Sequence, residues 1–593
     1  MSPEADAAPG HGSAPGPVTG SVTGRGTRLL LGLAAVAVAF AAADTYVVVL
    51  ALPDMMVTVG LGIDELQRAA PIISGFLLGY VAMLPLIGRI ADIRGRVPVL
   101  VASLVVFAFG SMVTALAFDL PSVVTGRFLQ GVGGGGLVPA TLALVADLYP
   151  AERRAVPLGL VSAVQEVGSV LGPLYGAVVL AVADWEGIFW LNLAVGLVLA
   201  AALTHLHQQS GASKGPPSRP LPDVWSILLL VVALAALVLI LWEPASLYND
   251  VTLGLPFVPV TGNSRWLTPL AMVAILASVA LVLRTSSVKR PLVDLRSWAG
   301  SFGRADPVGA GILALALAGV ILAFASADPA KQVFSPIGGL LLAGSAIAAA
   351  AFVWHLRRAK NPLIPRGALR ERPAWSSLLV SLFVGASLIA ALVDIPVYAR
   401  LTTYKDSQLM AALVLLRLLV AIPIGAVAGG FLTRRLPAGL VCGVGMVLST
   451  AGFAVMSQWG AHSLEHLVVN IPLFVTGLGF GLALAPVNAV LLASTDAAVH
   501  GVASALVVVA RMVGMLVGIS ALTTIGLSRY FDALHRRPGD ELAAALVQIE
   551  AIFVGAAICS VLAGLLALAL FRGAPTRALP DVIPTGRSGD QEV

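Results

Sequence analysis

Long apolar stretches, most of about twenty residues or more, alternate with short polar segments along the whole of this chain. An α-helix crosses the hydrocarbon core of a bilayer with about 20 apolar residues. The alternation therefore predicts sixteen membrane spans. The first six lie at 28–52, 69–90, 97–117, 121–146, 157–181 and 187–206. Four follow at 222–242, 265–284, 306–326 and 335–356, and six more at 374–399, 408–433, 438–457, 466–494, 500–527 and 548–571. The fold class this implies is an all-α polytopic membrane protein.

The polar segments orient the chain. With the N-terminus in the cytoplasm, most of the 36 Lys and Arg residues fall on the inner side. The inner clusters include Arg89/Arg94/Arg96, Arg153/Arg154, Lys289/Arg290 and Arg357/Arg358/Lys360. This is the positive-inside bias. Dropping one span would invert everything downstream, so an even count with both termini cytoplasmic is expected, in the inner cell membrane. Ala41-Ala42-Ala43 mimics a signal cleavage site. The apolar run continues to Leu52, however, and residues 1–24 carry no basic residue.

Composition narrows the class. Of 593 residues, 58% are hydrophobic and 11% charged, too few charges to cover a soluble protein of this size. The net charge of +5 follows from the inner-side bias and does not imply nucleic-acid binding. Cys442 and Cys559 lie in apolar runs and offer neither a disulfide framework nor a metal site. No cofactor is expected. The eight His residues cluster with carboxylates in no span, which argues against a membrane-embedded enzyme.

The expected units are a disordered N-terminus (1–27), a six-helix bundle (28–207), a linker with four spans (208–373), a second six-helix bundle (374–571) and a tail (572–593). The linker repeats itself. Arg290-Pro-Leu-Val-Asp-Leu-Arg296 matches Asn361-Pro-Leu-Ile-Pro-Arg366, and Asp223-Val-Trp-Ser matches Asp306-Pro-Val-Gly. This reads as one helical hairpin present twice.

Six lone charges lie inside apolar runs: Asp44, Arg127, Glu166, Asp394, Arg417 and Arg511. An ionised side chain there costs roughly 2.5–3.5 kcal/mol even on the mildest scale, so each is a candidate functional residue. Arg127 lies about 9 Å in from the outer face and Asp44 about 24 Å along span 1, at matching depth, so they should pair. The alternative is an Arg127 that snorkels to the surface. Glu166 and Arg511 both fall near the midplane, and nothing in the spacing says whether they touch. Asp394, near the outer end of span 11, and Arg417, about 13 Å into span 12, could pair across antiparallel helices. Alternatively, Arg417 bonds backbone carbonyls.

Motifs surround these charges. The loop Gly88-Arg-Ile-Ala-Asp92-Ile-Arg-Gly95-Arg96 resembles the signature loop of the major facilitator superfamily, with Val97 where a second basic residue is usual. Gly88 and Gly95 allow a close approach and a tight turn. Asp92 can face the positive end of span 15, which in the family latches the inner side closed. Arg127-Phe-Leu-Gln130-Gly131 resembles the family's Arg-x-x-Gln-Gly motif. Gly168, Gly172, Pro173 and Gly176 resemble the exporters' Gly-Pro motif. Pro173 should kink the helix, and the glycines form a stripe expected to pack against the other half. Trp185-Glu186-Gly-Ile-Phe-Trp190-Leu-Asn192 is similar to a stretch of fourteen-span drug:proton antiporters, with Glu186 where Arg is usual. Its tryptophans read as interfacial anchors.

Four segments resemble the triacylglyceride-exporter branch of the superfamily. They are Ala43–Val49, Gln165–Gly176, Ile422–Val427 and Val507–Met515. The extra linker hairpin departs from that pattern. The resemblance implies two six-helix bundles, transport roles for Asp44, Glu166 and Arg511, a lipid substrate moved outward, and a periplasmic lipid-carrying lipoprotein as partner. Arg127, Asp394 and Arg417 join them as a proton and charge relay. With no nucleotide-binding motif present, the proton gradient is the expected energy source, and the expected state is monomeric. The alternative is proton-coupled multidrug efflux.

Overall fold

The computed structural model describes residues 25–61, 66–150, 153–209, 223–250, 252–288, 291–325, 337–405, 407–574 and 576. The first 24 residues of the expected disordered N-terminus lie outside them, as does most of the tail. Residues 25–27 were expected to belong to that disordered segment. They instead form the first turn of α1, where the apolar helix beyond them is already propagating.

Among the described residues the chain is helical and without strands. The first half holds α1 (Arg25–Thr58), α2 (Leu66–Arg94), α3 (Arg96–Ala115), α4 (Leu120–Leu148), α5 (Ala155–Leu180) and α6 (Glu186–Gln209). A central insert follows with α7 (Val224–Trp242), the single turn α8 (Ala245–Tyr248), α9 (Pro269–Ser287), α10 (Leu295–Arg304), α11 (Pro307–Ala325) and α12 (Gly338–Arg358). The second half holds α13 (Arg372–Leu401), α14 (Gln408–Arg435), α15 (Ala438–Met456), α16 (Asn470–Ala493), α17 (His500–Arg536) and α18 (Glu541–Leu570). Fifteen of these helices are long and apolar enough to cross a bilayer. Over its described residues α5 shows a shorter apolar stretch, Ala155–Gln165.

Helix ends follow local chemistry. Asp119 accepts from Ser122 N at 2.9 Å and Ser122 Oγ answers the cap backbone, so α4 starts on a reciprocal capping box. Gly95, at φ +98°, makes the turn between α2 and α3. Close helix packing inside the first half depends on α4: a Cβ on Gly131 would run into the α2 backbone, and one on Gly133 into the α3 backbone.

The two halves each pack mainly within themselves, α1 with α5 and α2 and α3 with α4, then α13 with α17 and α18 and α14 with α16. They meet along α2–α17 and α5–α14. Among the described residues, the hydrogen bonds between halves run from the basic face, where Arg89, Arg94 and Arg153 lie, to mid-depth. The structure is therefore closed at its basic face. α17, at 37 residues, is about 56 Å long and overshoots a 30 Å core.

The insert is two hairpins, α7–α9 and α11–α12, closed alike at their basic ends. Asp223, which precedes α7, accepts from Arg284 of α9 at 2.5 and 2.9 Å. Asp306, which precedes α11, meets His355 of α12 at 2.8 Å. The second hairpin packs on α2 and α17, along the seam between halves.

Candidate functional site: buried charges and a latch at the basic face

Asp44 sits where α1 crosses α4 and α6, fully buried. Arg127 Nη1 donates to its Oδ2 at 2.6 Å and to Gln130 Oε1 at 3.0 Å. Asn192 Nδ2 donates to the other carboxylate oxygen. Gln130 is held in turn by Ser111 and Thr114 of α3. Tyr175 of α5 donates to Ile188 O at 3.0 Å and to Asn192 Oδ1 at 3.3 Å. The Arg127 guanidinium lies 4.4 Å from the centre of the Phe76 ring. At 1% exposure Arg127 does not snorkel. Both carboxylate oxygens have donors and the cation has a carboxylate, which is the condition for holding an ion pair in a low-dielectric interior.

The second half differs. Asp394 on α13 is 6% exposed and makes no hydrogen bond or ion pair among the described residues. The expected Asp394–Arg417 pair is therefore corrected. Arg417 Nη1 donates instead to Asn470 Oδ1 of α16 at 2.9 Å. The physical reason is that α14 packs most closely against α16, so its charge finds its partner there and not on α13.

At mid-depth the halves exchange a polar contact. Arg511 of α17, 4% exposed, donates from Nη2 to Gln165 Oε1 of α5 at 3.0 Å. Asn488 of α16 donates to Ser162 Oγ of α5 at 2.8 Å. Glu166 and Pro173 lie in α5, but their side chains fall outside the described residues.

At the basic face Asp92 accepts from Gly501 N at 2.7 Å and Val502 N at 3.1 Å, the unpaired donors of the first turn of α17. Arg96 braces the same carboxylate and reaches Asp147 at 3.2 Å. Gly88 lies against the Gly501 carbonyl, an approach only a glycine permits. Arg94 is held by Ser297 at 2.6 Å and lies 4.2 Å from the Trp298 ring centre, so α10 of the insert docks on the latch.

The glycine stripe of α5 needs a second correction. Gly168 packs on the backbone of Ala39 and Gly172 on that of Ala43, both in α1 of the same half. The close approach they allow joins α5 to α1 and brings Tyr175 to the Asp44 network. The contact with the other half is made lower on α5, where Gly159 meets Ala426 of α14. Trp185 is also no interfacial anchor: it is 3% exposed and donates to Thr58 Oγ1 at 3.0 Å.

Sequence reasoning missed Asn192, Gln130, Gln165 and Asn470 as partners. Three of them stand inside or beside quoted motifs, yet neutral amides in apolar runs carry no charge signal.

Two six-helix halves meeting at one face, with buried ions on both sides of the seam, define a multi-pass membrane transporter rather than an enzyme. A model of the Major Facilitator Superfamily matches residues 34–356. A triacylglyceride transporter of Mycolicibacterium hassiacum is 34% identical, covering 90% of this chain and 87% of its own. One of Mycolicibacterium smegmatis is 34% identical over 86% and 78%, and one of Mycobacterium tuberculosis H37Rv is 35% identical over 86% and 84%. The proton:xylose symporter XylE aligns at a TM-score of 0.49 and 12% identity, over 91% of this chain and 94% of its own. The chain belongs to the major facilitator superfamily.

Proposed function

We propose that this chain exports triacylglycerol or a related apolar lipid from the inner membrane, by proton-coupled alternating access, as a monomer with both termini cytoplasmic. The substrate reading rests on relatives named triacylglyceride transporters that cover both halves. The coupling reading rests on one observation, the buried carboxylate of Asp394, which has no hydrogen-bond or ion-pair partner among the described residues. Burying an ion without a partner is costly, whereas the neutral acid is tolerated. Asp394 takes a proton from hydronium, forming an O–H bond and leaving water, and releases it on the other side. Asp44–Arg127 holds the first half rigid, while Arg511, Glu166 and Arg417 change partners as the halves rock. Asp92, with Gly88, Gly95 and Arg96, latches the cytoplasmic face. The units are 28–207, 208–373 and 374–571, the middle one a duplicated hairpin. The overshooting ends of α17 and α18 receive a periplasmic lipid-carrying lipoprotein.

Reconstitution in liposomes tests this. Labelled triacylglycerol and amphipathic drugs are compared under an imposed pH gradient. Gradient-driven transfer of the lipid supports the reading. Gradient-driven drug movement with no lipid transfer replaces it with multidrug efflux.

A further inference from the structure

Where the first insert hairpin meets the α1–α6 half, at the face away from the basic loops, a cavity of about 720 Å³ opens. One wall is the start of α6, with Glu186 and Trp190. The other is the end of α7, with Leu241 and Trp242. Arg265 closes one side, and it is already committed. It pairs with Glu243 at 2.6 Å, donates to Leu241 O at 3.2 Å and lies 4.2 Å from the Phe118 ring centre. Its contacts fasten the hairpin to the bundle, and its charge is neutralised there.

Glu186 is different. It is half-buried, and among the described residues it has no ion pair and no hydrogen bond from another side chain. The charged groups that act on it, Asp184 and Asp54, are also acidic. The cavity thus combines a carboxylate that has no ion pair among the described residues with two indoles, 42% and 65% exposed. A carboxylate beside tryptophan faces is the chemistry that receives an ammonium, and quaternary ammonium groups in particular. An anion would meet repulsion from Glu186 and find its one cation taken. Apart from Thr58, the remaining wall is apolar, with Ala115, Leu116, Phe118 and Val238, and suits an alkyl chain.

We propose that this cavity binds an amphiphile with an ammonium head group. The head sits on Glu186 between Trp190 and Trp242, and the tail lies along the hairpin. The site is separate from Asp44, Asp394 and the latch, so it stands or falls independently of the lipid-export reading.

The test is photoaffinity labelling of the full chain, purified in an uncharged maltoside detergent, with a diazirine-bearing dodecyltrimethylammonium. Label is expected on peptides containing Glu186–Trp190 and Val238–Trp242. Excess unlabelled dodecyltrimethylammonium should compete, and dodecyl phosphate should not. Glu186→Gln is expected to cut labelling there about tenfold, and Trp242→Leu about threefold. Glu186→Asp, which keeps the charge, should retain most of it. Both Glu186 variants are first checked for wild-type elution and melting temperature. Equal labelling in Glu186→Gln and wild type, equal competition by the phosphate, or label spread evenly over the lipid-facing helices overturns the proposal.

Discussion

The two halves of this protein treat a buried carboxylate in opposite ways. In the first, Asp44 receives Arg127 and Asn192, and each partner is itself held by a further side chain. In the second, Asp394 is also buried but has no hydrogen-bond or ion-pair partner among the described residues, while Arg417 on α14 bonds an amide. A paired network resists change, because separating the pair leaves a charge bare in oil. A bare carboxylate can become neutral only by binding a proton. On the proposed function, the first half carries a structural pair and the second a titrating group, a contrast open to test by substitution.

The largest expected effect comes from breaking the paired side. Arg127→Ala leaves Asp44 buried without its cation, which should cost roughly 3–5 kcal/mol of stability. It should show as a large drop in melting temperature in detergent and abolished transport. Asp44→Asn should abolish transport with a smaller drop, since asparagine is neutral. Adding Asp44→Asn to the arginine variant should restore much of the stability but not the activity. If the double variant melts as low as Arg127→Ala, the pair is not the unit argued here.

Asp394→Asn should do the reverse. No hydrogen bond or ion pair among the described residues depends on its charge, so the melting temperature should hold or rise. Transport should fall and lose its dependence on external pH. A marked loss of stability with normal pH dependence would erase the contrast between the halves.

A third effect concerns the seam itself. Asp92→Asn removes a charged acceptor from two backbone donors and from Arg96. Such bonds are worth about 1.5–3 kcal/mol each when one partner is charged. The closed basic face should lose population, and single cysteines placed on the basic-face side of the α5–α14 crossing should react faster with a membrane-impermeant thiol reagent. An unchanged rate means that contacts other than the latch hold that face shut.

Much of this was legible in the sequence, for identifiable reasons. Fifteen of the sixteen expected spans, the six-helix halves and the doubled hairpin come from hydropathy and from motifs that recur at fixed places, and both survive single substitutions. The Asp44–Arg127 pair follows because depth along a helix is set by residue count. What depth does not fix is the direction a side chain faces. Asp394 and Arg417 fit in depth, yet Arg417 points toward α16. The α5 glycines showed that something packs closely there, without saying that it is α1. Neutral partners such as Asn192 and Asn470 were invisible because an amide in an apolar run is cheap enough to need no explanation. The short helix α10, bearing on the latch through Arg94, lies in a polar connection that hydropathy does not read.

The smallest effect comes from the same acid–base chemistry placed outside the bilayer. Asp223, just before α7, accepts two bonds from Arg284. The guanidinium holds its carboxyl below the ordinary carboxylate range, with help from Ser226. A carboxyl whose folded value is depressed adds stability that is fully present above the unfolded value, near pH 4, and is lost as pH falls through the folded value. Wild type should therefore melt above Asp223→Asn at pH 6, and the gap should close as pH drops below about 4. Water screens this pair, so the gap at pH 6 should be well below the one produced by Arg127→Ala. A surface gap as large as the buried one would mean that immersion in oil is not what sets the strength of the Asp44 network.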